Sequence, residues 1–149
     1  MARACIVGAG SSGIAAAKVL HARGIRFDCV EMGDRVGGNW VHANKNGMSS
    51  CYRGLYINTS RTRMEYPDWP MPADYPDFPS AVQMREYYER YAEAHGLAAA
   101  IRFGTEVTAV RYREDQRWDV TFGEGTGGAG QTETFKGVVV CNGHHWSRE

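Results

Sequence analysis

The sequence predicts an α/β domain in which a parallel sheet carries a small antiparallel sheet as an insertion. Three observations predict this class. Residues 4–30 read as strand, helix and strand, a unit whose parallel strands need a crossover helix. A second helix precedes several short runs of alternating apolar and polar residues, which are typical of antiparallel strands. A last apolar run, residues 137–141, is typical of another buried parallel strand.

The amino-terminal unit consists of two apolar runs with a helix between them. Ala4–Val7 is short and apolar and is stopped by Gly8, as expected for a strand that is buried on both faces. Ile14–Ala22 is rich in Ala, Leu and Lys, which favour a helix, and Gly24 is suited to the helix end. Ile25–Val30 is the second strand of the unit.

Residues 32–80 lose this regularity, and all five prolines of the chain fall between Pro67 and Pro79. An irregular segment of this length in a compact domain usually has a function. Ser80 then begins a helix, with Gln83 at the capping-box position and Gly96 after the end. A cluster at helical spacing on this helix is expected to pack in the core rather than to form a binding face. Its members are Met84, Tyr87, Tyr88 and Tyr91.

The carboxyl-terminal part is predicted to be mostly strand. One short run is expected to extend the parallel sheet, three are expected to form the inserted sheet, and the last ends at Asn142-Gly143. These runs are Ile101–Phe103, Val107–Tyr112, Trp118–Phe122, Thr132–Phe135 and Gly137–Cys141. The chain has no internal repeat and no linker-like change of composition, so residues 1–149 are expected to form one domain.

Composition argues against several classes of function. The chain has 149 residues, 43% of them apolar, which is typical of one globular domain with its own core. Its 17 basic and 17 acidic residues give no reason to expect a nucleic acid or an anionic membrane as partner. The four cysteines are widely separated, which favours reduced thiols in a cytoplasmic protein over disulfides or zinc. The sequence shows neither a signal peptide nor a membrane span.

The segment Gly8-Ala-Gly-Ser-Ser-Gly13 matches the G-x-G-x-x-G pattern of dinucleotide-binding turns. The pattern is weak alone, but here it follows a strand, begins a helix and precedes an acidic residue, Glu31, at the end of the next strand. Gly8 would permit the tight turn, Gly10 the approach of a pyrophosphate, and Gly13 the close packing of helix on strand. Glu31 would accept hydrogen bonds from both ribose hydroxyls and repel a 2′-phosphate, so FAD or NAD is expected rather than NADP. The alternative is a doubly wound fold that binds no dinucleotide.

Two further patterns are expected to have no role in chemistry. Residues 123–128 match the same glycine pattern, but no parallel strand ends there and no helix follows. They are therefore expected to form a flexible turn between antiparallel strands. The adjacent pair His144 and His145 is a poor metal site, because neighbouring side chains point apart in an extended chain. No metal is expected.

A glycine pair, Gly37-Gly38, comes six residues after Glu31 and directly before Asn39-Trp40. In FAD enzymes with two dinucleotide domains, a glycine pair in this place lets the chain pass close to the cofactor, and NAD domains normally lack it. The spacing therefore favours a Rossmann-like FAD-binding domain.

Over nearly its whole length the sequence resembles the flavin-containing monooxygenases, class B enzymes that use FAD, NADPH and O₂. The resemblance rests on GAGSSG, GGNW, the tyrosine-rich helix and VVVCNGHHW, and above all on LYINTSRTRMEYPDWPMPADYPDFPS, residues 55–80. Families that share only the FAD fold lack this last segment.

The resemblance implies which residues contact the cofactors. Asn58 and Thr59 would lie beside the isoalloxazine ring, where nicotinamide and oxygen also meet, and Val107 would offer its backbone to the adenine. Asn39 departs from the aliphatic residue or threonine that is common before the tryptophan. The full set of implied FAD contacts is Gly8, Ala9, Gly10, Ser11, Ser12, Gly13, Glu31, Gly38, Asn39, Trp40, Asn58, Thr59 and Val107.

The resemblance also implies the reaction. NADPH would reduce the flavin, O₂ would add to it, and the resulting C4a-hydroperoxyflavin would oxygenate nitrogen or sulfur in a small, soft nucleophile. The protein needs no nucleophile or general base of its own, but it must exclude water and hydrogen-bond the flavin. A carboxamide can do this without adding charge, so Asn58 is the expected catalytic residue. The alternative for Asn58 is a turn residue that bonds its own backbone.

The family continues into an NADPH-binding domain, and residues 1–149 contain no second fingerprint in the right context. The chain is therefore expected to be an FAD-binding part, incomplete as an enzyme, that self-associates or pairs with a complementing C-terminal domain. An isolated FAD-binding or inactive module is the alternative. Disulfide reductases are disfavoured because no C-x-x-x-x-C pair follows the glycines. Baeyer–Villiger monooxygenases are disfavoured because Val41-His-Ala-Asn-Lys replaces their aromatic segment.

Overall fold

The strands form two separate sheets in the computed structural model, which describes residues 3–123 and 130–144. They are β1 (Ala4–Val7), β2 (Phe27–Val30), β3 (Ile101–Arg102), β4 (Val107–Tyr112), β5 (Trp118–Phe122), β6 (Thr132–Phe135) and β7 (Gly137–Val140). The central sheet is parallel, in the order β3-β2-β1-β7. Because the chain first moves from β1 to β2 and later returns to the other side of β1 as β7, the strand order reverses between β1 and β7.

The helices are α1 (Ser11–Ala22), α2 (Arg61–Met64) and α3 (Ala81–Ala94), with 3₁₀ turns at Gly38–Trp40 and Ala98–Ala100. α1 and α3 lie close to their predicted positions, whereas the one-turn helix α2 falls in the segment predicted to be irregular. α1 begins at Ser11 rather than at Ile14, because the glycine turn leads directly into it. The predicted capping box of α3 is present: Ser80 Oγ accepts the Gln83 N–H, and the Gln83 carboxamide accepts the Ser80 N–H. In the part of the chain that is described, no helix has the length and apolar character needed to cross a membrane.

The inserted sheet is antiparallel, in the order β4-β5-β6. Val110 is paired with Val120, and Trp118 is paired with Phe135. The structure therefore confirms the predicted class, a Rossmann-like parallel sheet with a small antiparallel sheet inserted before its last strand. Most of the second glycine-rich pattern, at residues 124–128, lies outside the described residues.

The two faces of the parallel sheet are covered by different layers, because successive side chains of a strand point in opposite directions. Ile6 of β1 packs in a core with residues of α1 and α3, whereas its neighbour Cys5 packs with β5 and β6. The predicted apolar cluster of α3 belongs to the first core, and its members are buried: Met84, Tyr87, Tyr88 and Tyr91.

Charged side chains join the two sheets beside the second core. Arg3 pairs with Asp28 on β2 and with Glu133 on β6, and Arg102 donates to Glu133 Oε1 at 2.8 Å. The Arg102 guanidinium also lies over Phe122, 4.5 Å from the ring centroid. Burial acts to raise the pKa of the Glu133 carboxyl, but pairing with Arg102 and Arg3 prevails and lowers it. The inserted sheet is thus fixed by ion pairs as well as by apolar packing.

The irregular segment 55–80 packs against α3 and α1. The ring centroid of Tyr66 lies 4.5 Å from that of Tyr91, and its hydroxyl donates to the Ser11 carbonyl. Tyr87 Oη accepts the Tyr66 N–H at 2.7 Å and donates to the Trp69 carbonyl. Tyr66 and Trp69 are therefore arranged around the tyrosine face of α3.

One arginine organises the proline-rich half of the same segment. Arg61 Nη1 lies 3.0, 2.9 and 3.0 Å from the carbonyl oxygens of Pro72, Ala73 and Tyr75. The Arg61 N–H donates to the Asp77 carbonyl at 2.8 Å. A segment with little regular secondary structure thus satisfies its backbone through a side chain.

Candidate functional site

A cavity of about 630 Å³ opens at the carboxyl ends of the parallel strands, next to the reversal of strand order between β1 and β7. In open α/β sheets, this edge is where ligands bind. The cavity volume is typical of ligand sites. The wall is formed by the turns that follow β1, β2 and β7 and by the 3₁₀ turn Gly38–Trp40.

Two glycines of the turn after β1 are required by the packing of the protein itself. Gly8 has φ +100°, and a Cβ there would lie 2.4 Å from the Cys141 carbonyl oxygen. A Cβ on Gly13 would lie 1.8 Å from the Gly8 carbonyl oxygen. Both contacts are far shorter than any allowed approach, so these positions accept glycine only. This geometry agrees with the tight turn and the close helix packing that the sequence predicts.

Gly10 has a different environment, because it faces the cavity. A Cβ there would meet the Gly38 Cα at 3.6 Å, an ordinary van der Waals contact. Gly38 is the tighter partner: at φ +54°, its own Cβ would lie 2.9 Å from the Gly10 Cα. The glycine pair thus brings the 3₁₀ turn against the dinucleotide turn, and Gly10 leaves space that a ligand can use.

The amino terminus of α1 points its free backbone N–H groups and its positive dipole end toward the cavity edge. Gly10 occupies the N-cap without a side-chain cap, and the first turn contains no acidic residue. Ser11 and Ser12 line the cavity here. With no carboxylate in competition, this helix end is suited to phosphate.

Glu31 is buried at the end of β2 and lines the cavity. Its Oε2 accepts the Ala9 N–H at 2.8 Å, and its Oε1 accepts the Gly33 N–H at 2.7 Å. A carboxylate has about four lone-pair sites, so acceptor capacity remains for ligand hydroxyls. The two backbone bonds orient the carboxylate before any ligand arrives, and they connect the glycine turn to the turn after β2.

The structure brings most of the predicted site residues together. The predicted residues that line the cavity are Gly8, Gly10, Ser11, Ser12, Glu31, Gly38, Asn39, Trp40 and Val107. Ala9 and Gly13 are buried beneath the turn, and the Ala9 N–H is already bonded to Glu31. These two residues therefore shape the turn without lining the cavity.

Asn58 and Thr59 lie elsewhere. Both are exposed, and neither lines the cavity in the part of the chain that the structure describes. Their backbone is nevertheless fixed on both sides, by the Ile57 N–H bond to the Pro79 carbonyl at 3.0 Å and by the Arg61 bond to Asp77. Their proposed role at a flavin ring stays a prediction.

Several cavity residues are absent from the sequence-based prediction. Asn142, Gly143 and His144 follow β7, and the general preference for carboxyl ends of parallel strands could have indicated them. Asn46 and Met48 also line the cavity, but no motif marks them. They reach the cavity through a loop whose path depends on long-range contacts.

The thiols near the site are poor nucleophiles. Cys29 Sγ lies 3.6 Å from the Gly8 carbonyl oxygen below the turn, and burial raises its pKa to about 12. Burial also raises the pKa of the Cys141 thiol, which lines the cavity. A thiol with a raised pKa forms little thiolate near neutral pH.

Together these features define the class of protein, a dinucleotide-binding α/β domain with a preoriented carboxylate after its second strand. The family model described as flavin-binding monooxygenase-like matches residues 1–149. The chain belongs to this family.

Curated relatives agree with this assignment. Flavin-containing monooxygenase 5 of Oryctolagus cuniculus is 36% identical over 151 residues, covering 97% of this chain and 28% of the relative. Flavin-containing monooxygenase 5 of Homo sapiens is 34% identical over 149 residues, covering 96% of this chain and 28% of the relative. The chain therefore spans 28% of the length of these relatives.

Solved structures of monooxygenases share the fold. S-allyl-L-cysteine S-oxygenase from Allium sativum matches with a TM-score of 0.86 at 28% identity, over 96% of this chain and 36% of that one. Open cyclohexanone monooxygenase matches with a TM-score of 0.81 at 26% identity, over 95% and 27%. OTEMO in complex with FAD and NADP matches with a TM-score of 0.79 at 26% identity, over 95% and 25%.

Proposed function

We propose that this cavity binds FAD and that the chain is the FAD-binding part of an NADPH- and O₂-dependent monooxygenase. The substrates would be small molecules that are oxygenated on nitrogen or sulfur. The observation that carries the proposal is that the amino terminus of α1, the open face of Gly10 and the oriented Glu31 carboxylate meet at one cavity. Membership of the flavin-binding family and the FAD in the similar OTEMO structure support FAD over other dinucleotides.

The residues present fit the cofactor. The backbone N–H groups of Ser11 and Ser12 would hold the pyrophosphate, and Gly10 leaves room for it. Glu31 would accept hydrogen bonds from ribose hydroxyls, and the backbone of Val107 would meet the adenine. A 2′-phosphate beside the Glu31 carboxylate would be repelled, so NADPH is expected to bind in a separate domain of a longer enzyme.

FAD supplies the redox and oxygen-transfer chemistry when it is bound. The residues of this chain bind the cofactor, orient it and limit its contact with water, and Trp40 and Met48 add apolar surface to the cavity. We retain Asn58 as the proposed catalytic residue, with Thr59 beside it, on the family resemblance. The backbone on both sides of Asn58 is held by hydrogen bonds, and the Thr59 hydroxyl donates to Asn58 Oδ1 at 3.4 Å.

The similar S-allyl-L-cysteine S-oxygenase supports sulfur as one acceptor of oxygen. The runner-up proposal is a module that binds FAD without catalysis of its own. The observation in its favour is that Asn58 and Thr59 are exposed and do not line the cavity in the described part of the chain. The cytoplasmic location inferred from the cysteines stays a prediction.

Titration of the purified chain with FAD tests the binding proposal. We expect quenching of flavin fluorescence and retention of visible flavin absorption after gel filtration, because an enclosed flavin co-migrates with its protein. NADP⁺ is the control ligand and should compete poorly, since its 2′-phosphate meets Glu31. If the protein fraction after gel filtration from saturating FAD is colourless, the proposal is contradicted.

A second measurement tests whether catalysis needs a separate NADPH-binding domain. The FAD-loaded chain is mixed with NADPH in the presence of O₂, and the oxidation of NADPH is followed by the loss of its near-ultraviolet absorbance. We expect no oxidation above the free-FAD control by the chain alone. Turnover by the chain alone would contradict the need for a separate NADPH-binding domain.

A further inference from the structure

The segment of residues 44–50, called here the wall segment, covers one side of the cavity through Asn46 and Met48. It is folded on itself by short-range hydrogen bonds. Asn44 Oδ1 accepts the Asn46 N–H at 3.3 Å, and Asn46 Oδ1 accepts the Met48 N–H at 3.0 Å. The Gly47 N–H donates to the Asn44 carbonyl at 2.9 Å. These bonds shape the wall segment but do not attach it to the rest of the domain.

The first attachment is at Asn44, next to Glu31. Asn44 is buried, and its side chain packs against Gly33 in the turn after β2. A Cβ on Gly33 would lie 2.7 Å from Asn44 Oδ1 and 3.0 Å from Glu31 Oε1. The start of the wall segment is therefore fitted against the residue that orients Glu31.

The second attachment is Asn39, in the 3₁₀ turn on the other side of the cavity. Its Oδ1 accepts the Ser50 N–H at 2.9 Å, and its backbone carbonyl accepts the Ser49 hydroxyl at 3.1 Å. The same turn touches the dinucleotide turn through Gly38 and Gly10. Asn39 thus connects the end of the wall segment to the part of the site that faces the phosphates.

The backbone that leads into the wall segment is strained. Ala43 has φ +50°, a left-handed conformation that residues with a Cβ avoid. Such a conformation persists only where surrounding contacts enforce it. The buried Asn44 on one side and the Asn39 bonds on the other are contacts of this kind.

We propose that Asn39 is a positioning residue, which holds the wall segment against the cavity through Ser49 and Ser50. Of the residues that the family resemblance implies here, an aliphatic residue or threonine, an aliphatic residue has no side-chain acceptor for the Ser50 N–H. Asn39 therefore gives this chain an attachment of the wall segment that an aliphatic residue cannot supply. The effect on FAD rests on the proposed function, whereas the effect on the wall segment does not.

Hydrogen exchange of the ligand-free chain tests the attachment directly. In Asn39→Leu we expect the amides of residues 49–51 to exchange roughly threefold to tenfold faster, the effect of one lost hydrogen bond. Amides of β1 and α1 should keep their wild-type rates. Asn39→Asp should restore the protection, because a carboxylate oxygen also accepts the Ser50 N–H.

FAD release provides the second readout, measured by the recovery of flavin fluorescence after dilution. Asn39→Leu and Ser49→Ala should each release FAD roughly threefold to tenfold faster. Ser60→Ala, a serine outside the cavity, is the matched control and should release FAD at the wild-type rate. In the double variant Asn39→Leu/Ser49→Ala, the rate of FAD release should rise by less than the product of the two single increases, because both changes free the same segment.

Three outcomes would overturn the inference. They are wild-type exchange at residues 49–51 in Asn39→Leu, equally faster exchange across β1 and α1, and failure of Asn39→Asp to restore protection. If the wild-type chain binds no FAD, the proposed function fails, and the exchange measurement still decides the role of Asn39.

Discussion

The three glycines of the dinucleotide turn differ in what requires them. Gly8 and Gly13 lie directly against the protein backbone. A Cβ on Gly8 would lie 2.4 Å from the Cys141 carbonyl oxygen, and a Cβ on Gly13 would lie 1.8 Å from the Gly8 carbonyl oxygen. At Gly10 the corresponding contact is an ordinary 3.6 Å. Stability therefore depends on the first two residues, and under the proposed function the third leaves room for FAD.

Paired alanine substitutions separate these roles. Gly10→Ala should weaken FAD binding by about tenfold or more while it lowers the free energy of unfolding by about 1 kcal/mol or less, the cost of a poorer N-cap. Gly13→Ala should cost about 3 kcal/mol or more, because its Cβ overlaps the Gly8 carbonyl. Urea unfolding and FAD titration measure the two quantities. Equal losses of stability in the two variants would contradict this division.

Glu31→Gln tests the oriented carboxylate. A carboxamide has one acceptor oxygen, so either the Ala9 or the Gly33 N–H would face an NH₂ group. We expect a loss of about 1.5–3 kcal/mol in the free energy of unfolding and weaker FAD binding. Glu114→Gln, at an exposed position, is the control. If the two variants have the same free energy of unfolding and the same FAD affinity, the Glu31 carboxylate contributes to neither.

At the scale of elements, α3 organises the irregular segment of residues 55–80. Local patterns predict α3, its capping box and its buried tyrosines, because these depend on nearby residues. The partner of those tyrosines could not be read from periodicity. Tyr66 and Trp69 reach them through contacts across the fold, including backbone groups bonded to Tyr87.

Tyr87→Phe tests this arrangement. The change leaves the Tyr66 N–H without its acceptor and the Trp69 carbonyl without its donor. We expect a loss of about 1–3 kcal/mol in the free energy of unfolding. Tyr112→Phe is the matched control, since Tyr112 is 60% exposed. If both variants unfold at the same urea concentration, the hydroxyl of Tyr87 does not hold the segment.

For the whole molecule, the sequence predicted the order of the elements better than the surfaces between them. The glycine turn, Glu31 and the last strand are recognisable because one short pattern contains each of them. The cavity walls formed by Asn46, Met48 and the residues after β7 depend on which strands become neighbours. The two separate cores likewise result from the layers that cover the two faces of the parallel sheet. Burial in these cores raises the pKa of the Cys5 and Cys29 thiols.

Stability should fall at alkaline pH. Burial raises the pKa of both Cys5 and Cys29 from 9.0 to about 12. Above pH 9 the unfolded chain therefore releases thiol protons that the folded chain keeps, so the free energy of unfolding declines between about pH 9 and pH 12.

Urea unfolding under reducing conditions at several pH values between 8 and 11 measures this decline. Cys29→Ala should make the slope shallower by up to about 1.4 kcal/mol per pH unit. The same substitution lowers stability at every pH, so the slope is the informative quantity. Parallel curves for the variant and the wild type would contradict the assignment.

The pairing of β1 with β7 has a consequence for biosynthesis. The strand–helix–strand unit emerges early from the ribosome, but the Cys141 backbone that packs against Gly8, and the residues after it that line the cavity, are made more than a hundred residues later. Such long-range closure is intrinsically slow. The nascent chain therefore exposes an open edge of β1 until β7 has been made, and the cavity is completed only when β7 has joined β1.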